Sequence, residues 1–439
     1  MTTKSWKFLV RLMRERRGTV AIMFALLSPV LIGALGLGFE TSYWYMVKRN
    51  QQNAADAAAI AAATNGAANY ATEAKAVTAQ YGFVDGTGNV TVVASNTATC
   101  PSGGTTCYSV TITEAVPLFL SQVVGYSGTT TVSGSRAVNV GAVAVAKQQS
   151  QLRQYCLLAL STVGIDLTSN GGPQADFSGC SIMSNSSAVC HGSNLNADYG
   201  DAHLTSTNCG IVPESNLPTL ADPYAYLASS IPANTCASYP QEPSHHGDPA
   251  LPASNLWTGS KSLSGNVQVC GDLQLTGNVT INAPAGAVLV IQNGQLDTNG
   301  YTLTTASGSA VTVVFSGTTT GTYTHAPTGG GTLDIKAPTS GTWSGVALYQ
   351  DPNLTSGVNV SAAGNSPAWD VTGLVYLPHS NVTFSGVVNK SSNGADCFVM
   401  VAANITINGT GKIVEHGGCG SAGLAMPSGS VPGRGQLVL

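Results

Sequence analysis

The chain has 439 residues, with 17 Lys and Arg against 21 Asp and Glu, a formal charge of −4 and only 9% charged residues. With 51 Gly and abundant Thr, Ser, Val and Ala, it is too apolar and β-branched for a disordered protein, and fits short strands joined by small polar turns. Eight basic residues fall in positions 1–49, leaving 9 basic and 19 acidic residues for the remainder, a balance that gives no support to nucleic-acid binding.

The first element is an uncharged run of 21 residues from Thr19 to Phe39. A helix of ~20 apolar residues crosses a hydrocarbon core of roughly 30 Å with every backbone group satisfied internally. Pro29 is tolerated in such a helix. Lys4, Lys7, Arg11, Arg14, Arg16 and Arg17 precede the run, and only Lys48 and Arg49 follow it closely. That excess makes residues 1–18 a basic cytoplasmic tail and 19–39 a transmembrane helix. Tyr43 and Trp44, with Tyr45, stand where an aromatic belt meets the outer interface. The rival reading is a cleaved secretory signal peptide. The length of the run, and the aromatic and basic residues where a small-residue cleavage site would follow, favour a retained anchor.

Residues 40–146 read as an Ala-rich helix followed by a small sheet, a pilin-like α+β unit. Ala is the best helix former, and Ala54, Ala58 and Ala61, with Ala57 and Ile60, recur at spacings of three and four. This helix is either a solvated linker or a packing stalk for other subunits. Asn65-Gly66 and Tyr81-Gly82 are its punctuation. Period-two patterns at 89–94, 108–113 and 129–145 predict strands. Cys100 and Cys107 bracket a turn-like loop, and in an exported protein a hairpin disulfide is the simplest reading. PLFLSQVVG (117–125) is expected to be a short apolar helix or turn packed on that sheet.

Residues 147–260 form an irregular, cysteine-containing region. KQQSQLRQ reads as a polar linker, CLLAL at Cys156 as a new strand, and the Pro-rich stretches of 211–255 as loop outside the core. Ten Cys in an oxidising compartment suggest up to five disulfides of open connectivity. From 261 to 439 a repeat emerges: LSGNV (263–267) returns as LTGNV (275–279), then LDTNGYTL (296–303) and ITINGTG (405–411), with short apolar strands between. Asn and Gly at the corners accept positive φ. A mainly β chain ending in a β-rich solenoid is expected, a right-handed parallel β-helix rather than a β-sandwich.

Catalytic candidates are weak. His191, Asp198, Asp201 and His203 are close in sequence, but no helix or strand spacing fixes them on one face, and turn chemistry explains Asn, Asp and Gly there. His245 and His246 read as a solvated pair, and His325, His379 and His416 are isolated. Lys261, Lys336, Lys390, Lys412 and Arg434 are too dispersed for a polysaccharide-lyase groove. No catalytic residue, metal site or cofactor is assigned, and the chain is not expected to be an enzyme.

The stretch RRGTVAIMFALLSPVLIGALGLGFETSYWYMVKRNQQNAADAAAIAAA (16–63) resembles the N-terminal region of TadG-like proteins (TadE/TadG family) of the Tad, or Flp pilus, assembly system. The features carrying the resemblance are Arg17-Gly18, Pro29, Glu40 with Tyr43, and the helix containing Gln52, Asn53 and Asp56. The resemblance implies a single-pass inner-membrane protein, N-terminus cytoplasmic and body periplasmic or extracellular. Its implied partners are other pilus-assembly proteins, with a homo-oligomer through the Ala-rich helix as a further candidate. Related pseudopilins are cut after a Gly followed by Glu at the fifth position; counting from Gly18 that position is Met23, so the anchor is expected to stay uncleaved. No D-x-S-x-S adhesion motif is present. The alternative is a membrane-tethered carbohydrate-binding or carbohydrate-active β-helix, for which Trp257, Trp343 and Trp369 are a sparse set of platforms.

Overall fold

A computed structural model describes residues 18–66, 69–101, 103, 107–172, 174–319, 323–354, 357–364, 369–386, 397–409, 412–413 and 419–438. The basic tail with Arg17, the side chain of Thr19, Lys390, His416 and the end of the last repeat at 410–411 lie outside the described residues. The chain forms two compact units, Met1–Gln151 with Pro432–Leu439, and Leu152–Val431.

In the first unit a single helix, α1, runs from Gly18 to Asn65 with Pro29 inside it. At ~1.5 Å per residue it is about 72 Å long. It stops at Gly66, whose φ of 58° needs no Cβ. A shorter helix, α2 (Tyr70–Gln80), follows. The sheet comprises β1 (Val90–Ala98), β2 (Cys107–Pro117), β3 (Thr130–Val132) and β4 (Ser135–Ala159), paired antiparallel in the order β1-β2-β4-β3. Ala54, Ala55, Ala58, Ala59, Ala62 and Ala63 of α1 are buried with Val90, Val110, Ile112 and Ala144 of the sheet. The buried stripe is therefore turned from the expected one: Ala54 and Ala58 are in it, while Ala57, Ile60 and Ala61 are only half-buried. Methyl side chains let the helix approach the sheet closely, and this is why the segment needs Ala rather than Leu. KQQSQLRQ, within which the first unit gives way to the second, is a polar connection as expected but not an irregular one: it continues β4, because Gln side chains cost an exposed strand face little once the backbone pairs.

The second unit is built from parallel pairs. Its strands include β5 (Ile165–Asn170), β6 (Ser181–Ser184), β7 (Ser187–Cys190), β8 (Tyr199–Ala202), β9 (Val212–Glu214), β10 (Gly265–Cys270), β11 (Ala287–Gln292), β12 (Val311–Ser316), β13 (Val346–Gln350), β14 (Trp369–Gly386) and β15 (Phe398–Asn408). A ladder of in-register residues runs Val267, Leu289, Val313, Leu348, Val375, Met400, Leu157, Ile182. From Leu289 to Ile182 every member is buried. A second parallel ladder joins Leu256–Ser262, Leu273–Asn282, Thr302–Thr305, Thr332–Lys336 and β14. Asn299 and Gly300, with φ of 48° and 79°, turn a corner between strands, as the repeat predicts. Asn359, Asn381 and Asn404 stack in register and bond side chain to side chain at 2.9 and 2.6 Å.

The stacking order is not the chain order. The end of β4 lies between β15 and β6: Leu157 pairs with Met400 on one side and Ile182 on the other. The chain winds one way through β9, crosses to β10, and winds back until β15 meets β4. The crossing segment, 215–255, is the Pro-rich stretch. It is largely irregular, as expected, but not outside the core: Leu217, Tyr224, Leu227 and Leu251 are buried. It bonds to widely separated levels of the stack. Leu217 N donates to Ala202 O at 3.1 Å, Tyr349 Oη to Tyr224 O at 3.0 Å, and Gln268 Nε2 to Ala233 O at 2.5 Å. Tyr349 and Tyr376, adjacent in the stack, lie ring on ring at 4.6 Å beneath it. All ten Cys are paired, as Cys100–Cys107, Cys156–Cys180, Cys190–Cys209, Cys236–Cys270 and Cys397–Cys419. The Cys236–Cys270 bond ties the crossing segment to β10.

Candidate functional site

The N-terminal half of α1 has no interior to face. Ile22, Phe24, Leu26, Leu27, Val30, Leu31, Ile32, Leu35 and Phe39 are all exposed. Among the described residues α1 is the one helix long and apolar enough to cross a membrane. Its contacts begin near Gly33. A Cβ on Gly33 would lie 2.5 Å from Val124 Cγ1, and one on Gly36 2.7 Å from Leu120 Cβ. These glycines make the groove into which the segment after β2 settles. That segment carries a single 3-10 turn, Ser121–Val124. It was expected to pack on the sheet; it packs on α1 instead, since Gly-rich helix surface offers depth that the edge of a three-residue strand does not.

Glu40 closes this contact. Its residue is 1% exposed, and Oε1 accepts hydrogen bonds from the backbone N–H groups of Phe119, at 2.6 Å, and Leu120. A buried carboxylate is costly unless hydrogen-bonded, and two backbone donors serve its Oε1 here. Trp44, one turn on, stacks at a tilt on Tyr126 with ring centroids 5.9 Å apart, and packs with Val47, Val116 and Val140. Tyr43 is exposed. Further along, Gln52 Nε2 donates to Asp56 Oδ1 at 2.7 Å and to Val143 O at 3.1 Å, so the pair fixes α1 to β4. Asn53 is exposed and makes no part of that bond. The sequence-derived residues thus separate into an exposed apolar half (Pro29, Phe39), a junction (Glu40, Trp44) and a sheet-packing half (Gln52, Asp56).

The His and Asp residues of 191–203 do not converge. His191 is exposed, Asp198 accepts from Gly179 N at 2.9 Å, and His203 Nδ1 lies 2.7 Å from Leu217 O. Asp201 is buried for a structural reason. It accepts from Arg153 Nη1 at 2.7 Å and Tyr155 Oη at 2.9 Å, while Arg153 also forks onto Glu214 at 2.9 and 3.0 Å and lies 3.6 Å over the Tyr199 ring. Sequence reasoning missed Arg153, which sits in what read as a linker; an Arg alternating with buried Tyr155 in a strand was the available signal.

One acidic grouping has altered acidity. Burial and the nearby Asp297 and Asp272 push the Glu242 carboxyl up to about 7. Its neighbours are otherwise engaged: Asp272 accepts from Glu242 N and Gln295 N, and Asp297 from Gln274 Nε2 and Asn299 N. These bonds clamp the crossing segment to the ladder. His325 is buried, and desolvation lowers its pKa to about 4, so it is neutral. Among the described residues no three His, Cys, Asp or Glu side chains form a metal-binding group.

Residues 18–65 match a family described as Flp pilus-assembly TadE/G-like (Tad). The matched residues are those of α1. No curated protein and no solved structure matches the chain. The match supports a Flp/Tad pilus-assembly-related role, in association with a membrane and with other pilus-assembly components.

Proposed function

We propose that this chain is a membrane-anchored structural component of a Tad (Flp-type) pilus or adherence system and not an enzyme. The observation that carries this reading is the coincidence of the Tad match with a helix whose first half is apolar on every side. In this reading residues 1–18 are a cytoplasmic tail, 19–39 cross the inner membrane uncleaved, and the sheet-packed half of α1 with β1–β4 forms the docking unit at the outer surface. Association with a second copy would use the helix face left by the sheet, Asn53, Ala57 and Ala61, since the Ala54–Ala58–Ala62 stripe is already covered.

The second unit is, on this reading, an exported parallel β-helix that serves as a spacer or adhesive surface. Support comes from its parallel ladders, its Asn stack and its positive-φ corners. Its four disulfides, and the fifth in the first unit, suit an oxidising compartment.

The alternative, a membrane-tethered carbohydrate-binding or carbohydrate-active protein, has one observation in its favour: the Glu242, Asp272 and Asp297 grouping. The structural engagement of both aspartates favours a clamp. Deletion of the gene separates the readings. Loss of surface pili with intact glycan processing is expected; normal piliation with lost glycan cleavage would replace the proposal by the alternative.

A further inference from the structure

The loop between β2 and β3 is apolar, exposed and level with the membrane-spanning half of α1. Phe119 is 65% exposed, Leu120 41%, Val123 68% and Val124 47%. In a water-soluble unit this would be an unexplained patch. Its position explains it. Leu120 and Val124 meet α1 at Gly36 and Gly33, three and six residues before Phe39, hence about 5 and 9 Å below the end of the apolar run at ~1.5 Å per residue. Interfacial segments bury their apolar faces ~5–10 Å into the headgroup and acyl boundary.

We propose that residues Leu118 to Tyr126 form a second membrane contact, a loop that dips into the outer leaflet beside α1 with Phe119 and Val123 in lipid. The proposal rests on the reading of α1 as a membrane span. Three features fit lipid as the occupant. The exposed side chains are continuous with the apolar surface of α1 itself. Six of the loop's backbone N–H groups find acceptors within the protein, which lowers the cost of low-dielectric surroundings. Leu118 N donates to Arg136 O, Phe119 and Leu120 N to Glu40, Val123 N to Leu120 O, Gly125 N to Gln122 O and Tyr126 N to Ser121 O. The one long polar side chain at the tip, Gln122, returns to Leu118 O at 2.7 Å. Finally, groups suited to the headgroup layer stand just outside: exposed Arg136, Lys48 and Arg49, with Tyr43 and Tyr126. Glu40 thereby gains a specific role, as the acceptor that lets an irregular backbone enter the interface.

The test uses the full chain in phosphatidylethanolamine–phosphatidylglycerol nanodiscs. Val123→Cys, Ile32→Cys (span control) and Tyr81→Cys (exposed control) are spin-labelled, and collision with oxygen and with a water-soluble nickel complex is measured. The expected result is an oxygen-to-nickel ratio at Val123 several-fold above that at Tyr81 and close to that at Ile32. A water-like Val123 with a lipid-like Ile32 overturns the loop and leaves the span. A Val123 shielded from both reagents overturns it too, since protein rather than lipid then covers the loop. A water-like Ile32 overturns the span and the loop together. Phe119→p-benzoylphenylalanine provides a readout that adds no thiol to the ten native Cys: photolysis is expected to yield lipid adducts, and adducts to protein alone contradict the proposal.

Discussion

Glu40 accepts a hydrogen bond from Phe119 N at 2.6 Å, across 79 residues of chain and from inside a buried junction. The side chain holds the apolar loop to the helix through backbone amides rather than side chains. Glu40→Ala leaves the Phe119 and Leu120 amides without their acceptor, a loss of ~1–3 kcal/mol for a buried donor. Amide exchange in residues 118–126 is expected to accelerate at least tenfold, while exchange in β1 and β2 stays unchanged. Glu40→Gln keeps an acceptor oxygen and is expected to fall between. Unchanged exchange in the Ala variant would show that the carboxylate does not hold the loop.

The place of β4 in the second unit yields a different prediction. Leu157 packs between Met400 and Ile182, so the first strand of the unit completes a stack whose last strand comes more than 240 residues later. Leu157→Ala is expected to cost about 2–5 kcal/mol and to lower thermal stability for the whole unit. Val267→Ala, at the half-buried end of the ladder, should cost clearly less. Equal costs would mean that the junction at Leu157 is no better packed than the end.

Arg153 and Asp201 are both buried and paired at 2.7 Å. Arg153→Met leaves Asp201 charged without its guanidinium, for which about 3–5 kcal/mol is expected. Adding Asp201→Asn to the same chain removes the stranded charge and should recover part of the loss. Chemical denaturation of the single and double variants checks this; a double variant weaker than Arg153→Met alone would contradict it.

Asp166 gives the second unit a pH dependence. The carboxyl is 1% exposed; burial pushes its pKa up to about 7, against the hydrogen bond that Ser184 Oγ donates to it. The folded state therefore holds the proton more tightly than the unfolded state. Its stabilising contribution is complete below about pH 4 and is lost as pH rises through about 7. Asp166→Asn removes the ionisation. Relative to the native chain it is expected to gain up to ~4 kcal/mol at pH 8 and much less at pH 4. A variant-to-native difference independent of pH would show that Asp166 titrates alike in the folded and unfolded states and that burial does not raise its pKa.

The sequence made the long apolar helix, its Ala-rich continuation, the small sheet and the corners of the repeat legible, because each is written in local period or in residues of special φ. It did not reveal what depends on distant pairing. The continuation of β4 through KQQSQLRQ was hidden because polar strand residues look like linker. The insertion of Leu157 beside Met400 has no local signature at all. The packing of PLFLSQVVG on α1 required knowing that Gly33 and Gly36 face it, and the buried Arg153 required knowing that Asp201 would be there. Glu40 was visible as an acidic residue at the end of an apolar run, but its role as an acceptor for two amides was not.

The most direct measurement replaces residues 18–65 with an unrelated single-pass helix in the otherwise native gene and counts surface pili beside the native and deletion strains. A role in pilus assembly carried by α1 predicts that the deletion strain and the helix-replaced strain both lose pili while the replaced protein still fractionates with the membrane. Native pilus numbers in the deletion strain would contradict it.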